Sequence, residues 1–226
     1  STSPSSSGAA GTTTSAPSRS TNAITFTAVG DLGLGRPGEL PTDPASVLAD
    51  VQAALAAPIV FANLEGTLTS ASGSKCGAGS SNCVAFEVPT SDAPVLRQAG
   101  FTVVNSANNH SHDFGTQGAD DTRAALASAG IAQTGLPGQI AVVADGRTKV
   151  AFVGFGPYRN INDMLDFAAA KALIAQARRE AAVVVVYMHA GAEGAGATHV
   201  TGQEETYVGE DRGNAKAFAH AAIDDG

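Results

Sequence analysis

Four short apolar runs in this 226-residue chain each lead directly into polar side chains of the kinds that bind metal ions. The runs are rich in β-branched residues and lie at 26–29, 59–62, 103–104 and 183–188. They lead into Asp31, into Asn63 and Glu65, into Asn109 and His110, and into His189. Because ligands gather at the carboxyl ends of strands on an α/β scaffold, the pattern predicts one sheet edge that assembles a metal centre.

The charge balance of the chain argues against several kinds of partner. The formal net charge is −8, from 13 Lys and Arg against 21 Asp and Glu. Phosphate backbones are bound by clustered basic residues, so no nucleic-acid partner is expected. The sequence has no basic cluster for a membrane surface and no apolar run near the roughly 20 residues that span a bilayer.

The composition divides the chain into a tether and a domain. Residues 1–22 are nearly all Ser, Thr, Gly, Ala and Pro, which predicts a disordered tether. Residues 23–226 are predicted to form one domain. A tether of this kind is common after a removed signal peptide or lipid anchor, which favours an extracellular or cell-envelope location. Since a final helix would end near the last residue, we expect a further strand beyond Gly226 and a domain truncated at that end.

The two cysteines, Cys76 and Cys83, lie in one Gly/Ser-rich loop. A disulfide between them would close this loop and would fit an oxidising compartment. Two free thiols are the alternative. A metal site built from these two residues alone would be short of ligands.

Strand and helix patterns alternate along the chain, which predicts layered α/β architecture with one inserted hairpin. The hairpin is predicted around Asp145-Gly146. Residues 199–207 are polar and are predicted to form a mobile loop. The predicted strands are 24–29, 58–62, 101–105, 140–144, 149–155 and 183–188. The predicted helices are 44–56, 91–99, 117–129, 162–182 and 214–223.

Two of the strand ends offer carboxylates to a cation. Asp31 follows Gly30 and supplies hard oxygen ligands, although an Asp in this position is also a common turn or helix-cap residue. Asn63 and Glu65 are two residues apart, so in an extended segment they project to the same side. Glu65 is therefore a candidate ligand or water-activating base, and a polar loop entry is the alternative.

The other two strand ends add amide and imidazole groups. The amide of Asn109 can ligate a metal, and His110 can protonate a leaving group. Asp113 and His112 could each add a metal ligand or orient His110 through a hydrogen bond, although His112 is expected to face solvent. His189 occupies the same kind of strand end as Asp31. Glu193 follows it as a candidate substrate-binding or supporting group.

The order of these motifs resembles the bacterial capsule-synthesis CapA family of poly-gamma-glutamate synthesis proteins. The resemblance rests on Gly30-Asp31 with Gly35-Arg36, on Asn63-Leu64-Glu65, on 107–115, and on His189 to Glu193, and it covers 24–226. It implies a fold similar to calcineurin-like metallophosphoesterases, a layered sheet sandwich flanked by helices.

Residue by residue, the resemblance implies four metal ligands and one general acid. The ligands are Asp31, Glu65, Asn109 and His189, and the acid is His110. The metal would be a divalent ion such as Mn, Zn or Fe. Arg36 lies in the family motif and is a candidate catalytic residue that could hold an anionic substrate group in a bidentate contact, and a surface salt bridge is the alternative.

Two features of the chain depart from the metallophosphoesterase pattern. Gly33 stands where those enzymes usually carry a histidine, which implies that one metal site is depleted. The Gly-x-His strand that supplies further ligands would lie beyond Gly226.

Two functions follow from the resemblance and the residues, and the alternative to both is an α/β domain whose polar strand ends are only loop residues. The first is a metal-dependent hydrolase of the cell envelope that cleaves a phosphoester or an amide-like bond. The second is a non-catalytic accessory that binds or guides an anionic polymer during synthesis or export. In either case the expected partners are an anionic polymer or small phosphoester and the membrane-bound capsule-synthesis machinery.

Overall fold

A computed structural model describes residues 23–77 and 83–225 of the chain. The predicted tether at 1–22 lies outside the described residues. No helix in the described part is long and apolar enough to cross a membrane. The strands are β1 (Phe26–Leu32), β2 (Ile59–Leu64), β3 (Thr67–Leu68), β4 (Glu87–Val88), β5 (Val103–Asn105), β6 (Ala132–Thr134), β7 (Ala141–Asp145), β8 (Thr148–Phe155), β9 (Val183–Met188), β10 (Glu205–Tyr207) and β11 (Glu210–Gly213). The α-helices are α1 (Ser46–Ala49), α2 (Ala93–Ala99), α3 (Gly115–Ser128), α4 (Phe167–Glu180) and α5 (Ala215–Asp225).

Two larger sheets form the centre of the fold. The first has the order β1-β2-β5-β6 and is parallel throughout. The second has the order β7-β8-β9, with β7 antiparallel and β9 parallel to β8. Buried apolar side chains from both sheets pack together between them, with the Phe61 and Phe152 rings stacked 5.3 Å apart. The sheets therefore form a sandwich with a shared apolar interior.

Helices cover the outer face of each sheet. Outside the first sheet, Val60 and Val104 pack with Leu96 of α2 and Leu126 of α3. A similar layer outside the second sheet joins Val153 and Phe155 to Ile174 of α4 and Phe218 of α5. Both faces of β2 are buried, which explains its continuous apolar run. The predicted α/β sandwich flanked by helices is confirmed.

The predicted helix at 44–56 is wrong as a continuous element. The chain there forms only the four-residue α1 and then a 3-10 helix at Gln52–Leu55. Leu48 and Leu55 are buried, but Val47 and Val51 remain about half exposed. Since only two of the four apolar side chains reach the core, tertiary packing does not hold one long helix together.

Other elements also differ from the sequence prediction, among them the unpredicted short strands β3 and β4. The long helix starts at Phe167 rather than at Asn162, because Asp166 caps it through Ala169 N–H at 3.0 Å while Asn162 is buried and bonded elsewhere. Strand β6 has three residues and was not predicted. The predicted loop at 199–207 runs into an antiparallel hairpin of β10 and β11. Its turn places Val208 at φ +51°, which a β-branched residue rarely adopts, so turn chemistry did not reveal it.

Gly154 in β8 lies where the second sheet comes closest to the buried polar end of the first. A Cβ there would overlap the side-chain oxygen of Asn105. We expect Gly154→Ala to lower the free energy of unfolding by about 1–3 kcal/mol, since a buried atom would have to displace a buried amide. Chemical denaturation measures this. Gly196→Ala is the matched control, because a Cβ at Gly196 meets no atom of the described residues within 4 Å. Equal stability of both variants would contradict the prediction.

Candidate metal centre

The carboxyl ends of three neighbouring strands bring polar residues side by side. Asp31 of β1 is paired in register with Asn63 of β2, and Asn63 is paired with Asn105 of β5. The register of β1 shifts between Ala28 and Asp31, where three steps of β1 face two of β2. This bulge includes Gly30 and sets the direction in which the Asp31 side chain projects from the strand.

A buried amide network fixes these strand ends. The Asn63 side chain is fully buried, and its Nδ2 donates to Asp31 Oδ1 at 2.8 Å. Its Oδ1 accepts from Asn105 Nδ2 at 2.6 Å and from Asn108 Nδ2 at 2.9 Å. Asn108 also donates to the Leu64 carbonyl at 2.8 Å. Because its oxygen is already occupied, Asn63 orients Asp31 rather than serving as a ligand.

His189 reaches the same place from the second sheet. Its Nε2 lies 3.1 Å from Asn109 Oδ1 and 3.9 Å from Glu65 Oε1. The Nδ1 atom lies 3.7 Å from Asp31 Oδ1 and 3.4 Å from Asn63 Nδ2. Since an amide oxygen only accepts, Nε2 carries the ring hydrogen in this arrangement, and a metal bound at Nε2 would take the place of that hydrogen. Burial lowers the pKa of His189, which favours the neutral imidazole that a metal requires.

Glu65 is a mostly buried carboxylate close to other acidic groups. Its side chain is 17% exposed. Burial and the neighbouring Asp31 charge raise the pKa of Glu65 to about 7, although His110 opposes the shift. The charged form of this carboxylate is unfavourable by itself, and a bound cation would stabilise it.

His110 belongs to a hydrogen-bonded chain behind Glu65. Its Nδ1 donates to Asp113 Oδ2 at 2.8 Å, and its Nε2 lies 3.9 Å from Glu65 Oε1. Asp113 is fully buried and also binds Phe86 N–H at 2.6 Å and Lys75 Nζ at 2.8 Å. These contacts hold the imidazole with Nε2 towards Glu65. The orienting role predicted for Asp113 matches this geometry.

The donor set suits a divalent cation of the N/O-binding type. His189 Nε2 lies 3.1 Å from Asn109 Oδ1 and 3.9 Å from Glu65 Oε1, whereas two ligands of one ion are separated by roughly 3 to 3.5 Å. Asp31 faces the opposite ring nitrogen. Accordingly, within 23–77 and 83–225 no group of three or more His, Cys, Asp and Glu residues is arranged to hold an ion by itself. The cluster thus combines the amide oxygen of Asn109 with the side chains of His189 and Glu65.

Most of the predicted site residues come together, and Arg36 does not. Asp31, Glu65, Asn109, His110 and His189 contact one another as described above. Arg36 is instead half exposed and pairs with Glu39 at 2.7 Å. Both of its hydrogen bonds to Glu39 are made three residues along the chain. His112 is half-buried rather than solvent-facing and contacts Ser111 Oγ at 3.1 Å.

Sequence reasoning missed the residues that enclose the site. A cleft of about 350 Å³ is lined by Asp31, Glu65, His189 and Glu193 together with Tyr187 and Arg212. Burial and the Asp31 charge raise the pKa of Tyr187, whose hydroxyl donates to Asp31 Oδ1 at 3.4 Å. Tyr187 stands two residues before His189, and that spacing is the one local signal for it. Arg212 had none, because the hairpin that carries it was not predicted.

The predicted disulfide between Cys76 and Cys83 is present. It directly follows Lys75, whose Nζ also donates to the Asn109 carbonyl at 3.1 Å. The cross-linked loop is therefore tied to the His110 segment through Lys75.

A two-sheet α/β sandwich with a polar cluster at its strand ends defines the general class of the protein. The chain belongs to the bacterial capsule synthesis protein family PGA_cap, whose model matches residues 25–226. The predicted resemblance to the capsule-synthesis proteins is thereby confirmed.

The chain is also similar to individual proteins of known sequence or structure. The PGA biosynthesis protein CapA of Bacillus subtilis (strain 168) is 31% identical over 116 residues, a match covering 44% of this chain and 30% of CapA. A hypothetical protein from Thermus thermophilus superposes with a TM-score of 0.47 at 18% identity, over 87% of this chain and 62% of its own. A candidate 5′-nucleotidase from Staphylococcus aureus, in complex with alpha-ketoglutarate, superposes with a TM-score of 0.48 at 13% identity. That match covers 88% of this chain and 43% of the nucleotidase chain. The chain thus spans less than two thirds of each, and the structural likenesses carry no conclusion about function.

Replacing Glu65 by Gln should stabilise the metal-free protein at pH 8. The pKa of Glu65 is raised from 4.5 to about 7, so its favourable contribution is complete below pH 4.5 and is lost as the pH rises through 7. Glu65→Gln removes that loss, and we expect a gain of about 1–2 kcal/mol after allowance for partial solvation.

Urea denaturation with EDTA at pH 5 and pH 8 measures the effect. Glu204→Gln is the matched control, because Glu204 is exposed. If the pH dependence of stability is the same in wild type and Glu65→Gln, the account of Glu65 is wrong.

Proposed function

We propose that the protein is a metal-dependent hydrolase of capsule or poly-gamma-glutamate biosynthesis that cleaves a phosphoester or an amide-like bond. One observation carries this proposal. Two carboxylates, an amide and an imidazole from both sheets converge beside a second histidine that a buried Asp orients. Acidic groups, an oriented proton donor and a cleft in one place are the features by which a hydrolytic site is recognised.

In this proposal Glu65, Asn109 and His189 hold the ion, with Asp31 on the far side of the imidazole. A divalent ion bound there would polarise the scissile group and activate water. The amide network keeps Asp31 and the Asn109 loop in place. The residues of the amide network therefore act by fixing the positions of Asp31 and Asn109 before substrate binds.

His110 acts as the general acid of the proposed reaction. Its Nδ1 hydrogen is committed to Asp113, which leaves Nε2 to hold a second proton and pass it to the leaving group. Nε2 lies on the side of Glu65 and so faces the ligand cluster. Phe86 packs against the ring with centroids 4.5 Å apart and limits its rotation.

The family supports a place in the cell envelope. CapA of B. subtilis is a PGA biosynthesis protein, and a disulfide fits an oxidising compartment. We therefore propose an extracellular or envelope location, an anionic polymer or small phosphoester as substrate, and the membrane-bound synthesis machinery as partner.

A non-catalytic accessory that binds an anionic polymer is the second candidate. The buried cation Arg212 in the cleft wall favours it, since a guanidinium there can hold a carboxylate of the polymer. The net charge of −8 opposes it, because an acidic protein repels a polyanion. The two candidates differ in whether His110 affects turnover.

We expect His110→Ala to lower kcat by about 10²- to 10⁴-fold without changing metal content, because only the proton donor is lost. His189→Ala should lower metal content itself. Elemental analysis after loading with Mn, Zn or Fe measures the metal. Turnover is measured on a generic phosphodiester and on poly-gamma-glutamate.

The matched control is His199→Ala, since His199 is exposed. A protein that takes up none of the three metals and whose turnover does not respond to His110→Ala is not this hydrolase. Binding of poly-gamma-glutamate without turnover would then favour the accessory.

Asp113→Asn should lower kcat by about 10- to 100-fold with little change in KM. The neighbours of this carboxylate are all donors, namely His110, Phe86 N–H and Lys75, so an amide NH₂ must face one of them. The imidazole then loses its fixed orientation. Steady-state kinetics with metal analysis tests this. Unchanged kcat in a folded, metal-loaded variant would contradict the orienting role.

A further inference from the structure

Arg212 is a buried cation in the wall of the cleft. Its side chain is only 5% exposed, and it is the one Lys or Arg among the described residues that line the cleft. The other charged groups there are the carboxylates of Asp31, Glu65 and Glu193. An arginine this buried requires a set of partners that compensates for its lost hydration.

Fixed groups hold the guanidinium from several directions. Its NH1 donates to the Tyr158 hydroxyl, and its Cζ lies 5.2 Å from the ring centroids of both Tyr158 and Tyr207. Its NH2 lies 3.4 Å from Glu210 Oε2. The Arg212 carbonyl accepts from Gly191 N–H at 3.1 Å, which joins the hairpin to the loop after His189. The guanidinium is thus oriented before any ligand arrives.

Glu193 is the exposed member of this group. Its side chain is 51% exposed, and its Oε1 accepts from Arg212 NH1 at 3.0 Å. The Nε atom of Arg212 is buried and has no hydrogen-bond partner among the residues that the structure describes. A guanidinium has five N–H donors and binds carboxylates and phosphates with two of them in parallel. Arg212 therefore has donor capacity that these partners do not use.

We propose that Arg212 binds the anionic group of the ligand, a phosphate or carboxylate, and that Glu193 holds its place as an internal carboxylate. An incoming oxyanion replaces Glu193, which turns outward into solvent. Arg212 keeps its contacts to the two tyrosines. The assignment rests on the proposed function, because it names the ligand class of the same cleft. It also puts the anion-binding arginine on the hairpin rather than at Arg36.

The proposal predicts opposite effects for the two partners of one ion pair. Arg212→Met should weaken anion binding by about 10- to 100-fold, as expected for lost charged hydrogen bonds. Glu193→Gln should strengthen it by about 3- to 10-fold, because a competing carboxylate is removed while Arg212 stays in place. If the ion pair is only structural, Glu193→Gln will not strengthen the binding of phosphate or of poly-gamma-glutamate.

Calorimetric titration of the full chain with inorganic phosphate and with poly-gamma-glutamate, each with EDTA and with Mn²⁺, measures the effects. Arg147→Met and Glu204→Gln are the matched controls, since both residues are exposed. A response with phosphate assigns the site to phosphoesters, and a response with the polymer assigns it to carboxylates. Either response supports the proposal.

Equal binding by wild type and Glu193→Gln for both probes would overturn the proposal, whether or not Arg212→Met folds. The titrations with EDTA do not depend on metal or turnover. If Glu193→Gln strengthens binding while no metal is taken up, the hydrolase fails and the anion site stands. If binding does not respond while His110→Ala still stops turnover, the anion site fails and the hydrolase stands.

Discussion

The hydrogen-bonded amide of Asn63 is the interaction on which the rest of the site depends. It is fully buried and joins Asp31, Asn105 and Asn108 at distances of 2.6–2.9 Å. A buried polar group without its partner costs about 1–3 kcal/mol, so loss of one member leaves the others unsatisfied. The network thereby locks three strand ends into one arrangement.

The packing of the two sheets decides where that arrangement can act. His189 comes from β9 of the second sheet, whereas Asp31, Glu65 and Asn109 follow strands of the first. The stacked Phe61 and Phe152 rings lie between the sheets, and Gly154 allows the close approach near Asn105. The cluster of these four side chains consequently lies where the two sheets meet. Changes in core packing would therefore alter the distances from His189 to the other three residues.

The electrostatics of the cleft bear on the proposed binding of a cation. Burial and Asp31 raise the pKa of Glu65, and burial lowers that of His189, so both groups favour their uncharged forms when alone. A bound cation would relieve Glu65 and use the neutral His189 directly. Arg212 supplies positive charge on another wall, so the cleft offers complementary surroundings to a metal and to an anion.

Much of the fold was determined by the sequence itself. Apolar runs with polar ends and the Asp145-Gly146 turn are local signals, and they predicted the layered α/β architecture with its hairpin. The sandwich and the metal-ligand set of Asp31, Glu65, Asn109 and His189 came from the family resemblance, and the ligand set stays a prediction. Periodicity failed at 44–56 because only tertiary contact decides which apolar side chains are buried. The place of Arg212 in the cleft wall and the approach of His189 to Glu65 and Asn109 depend on contacts between distant parts of the chain. Those were decided only by the tertiary structure, because long-range packing and hydrogen bonding leave no pattern in a local stretch of chain.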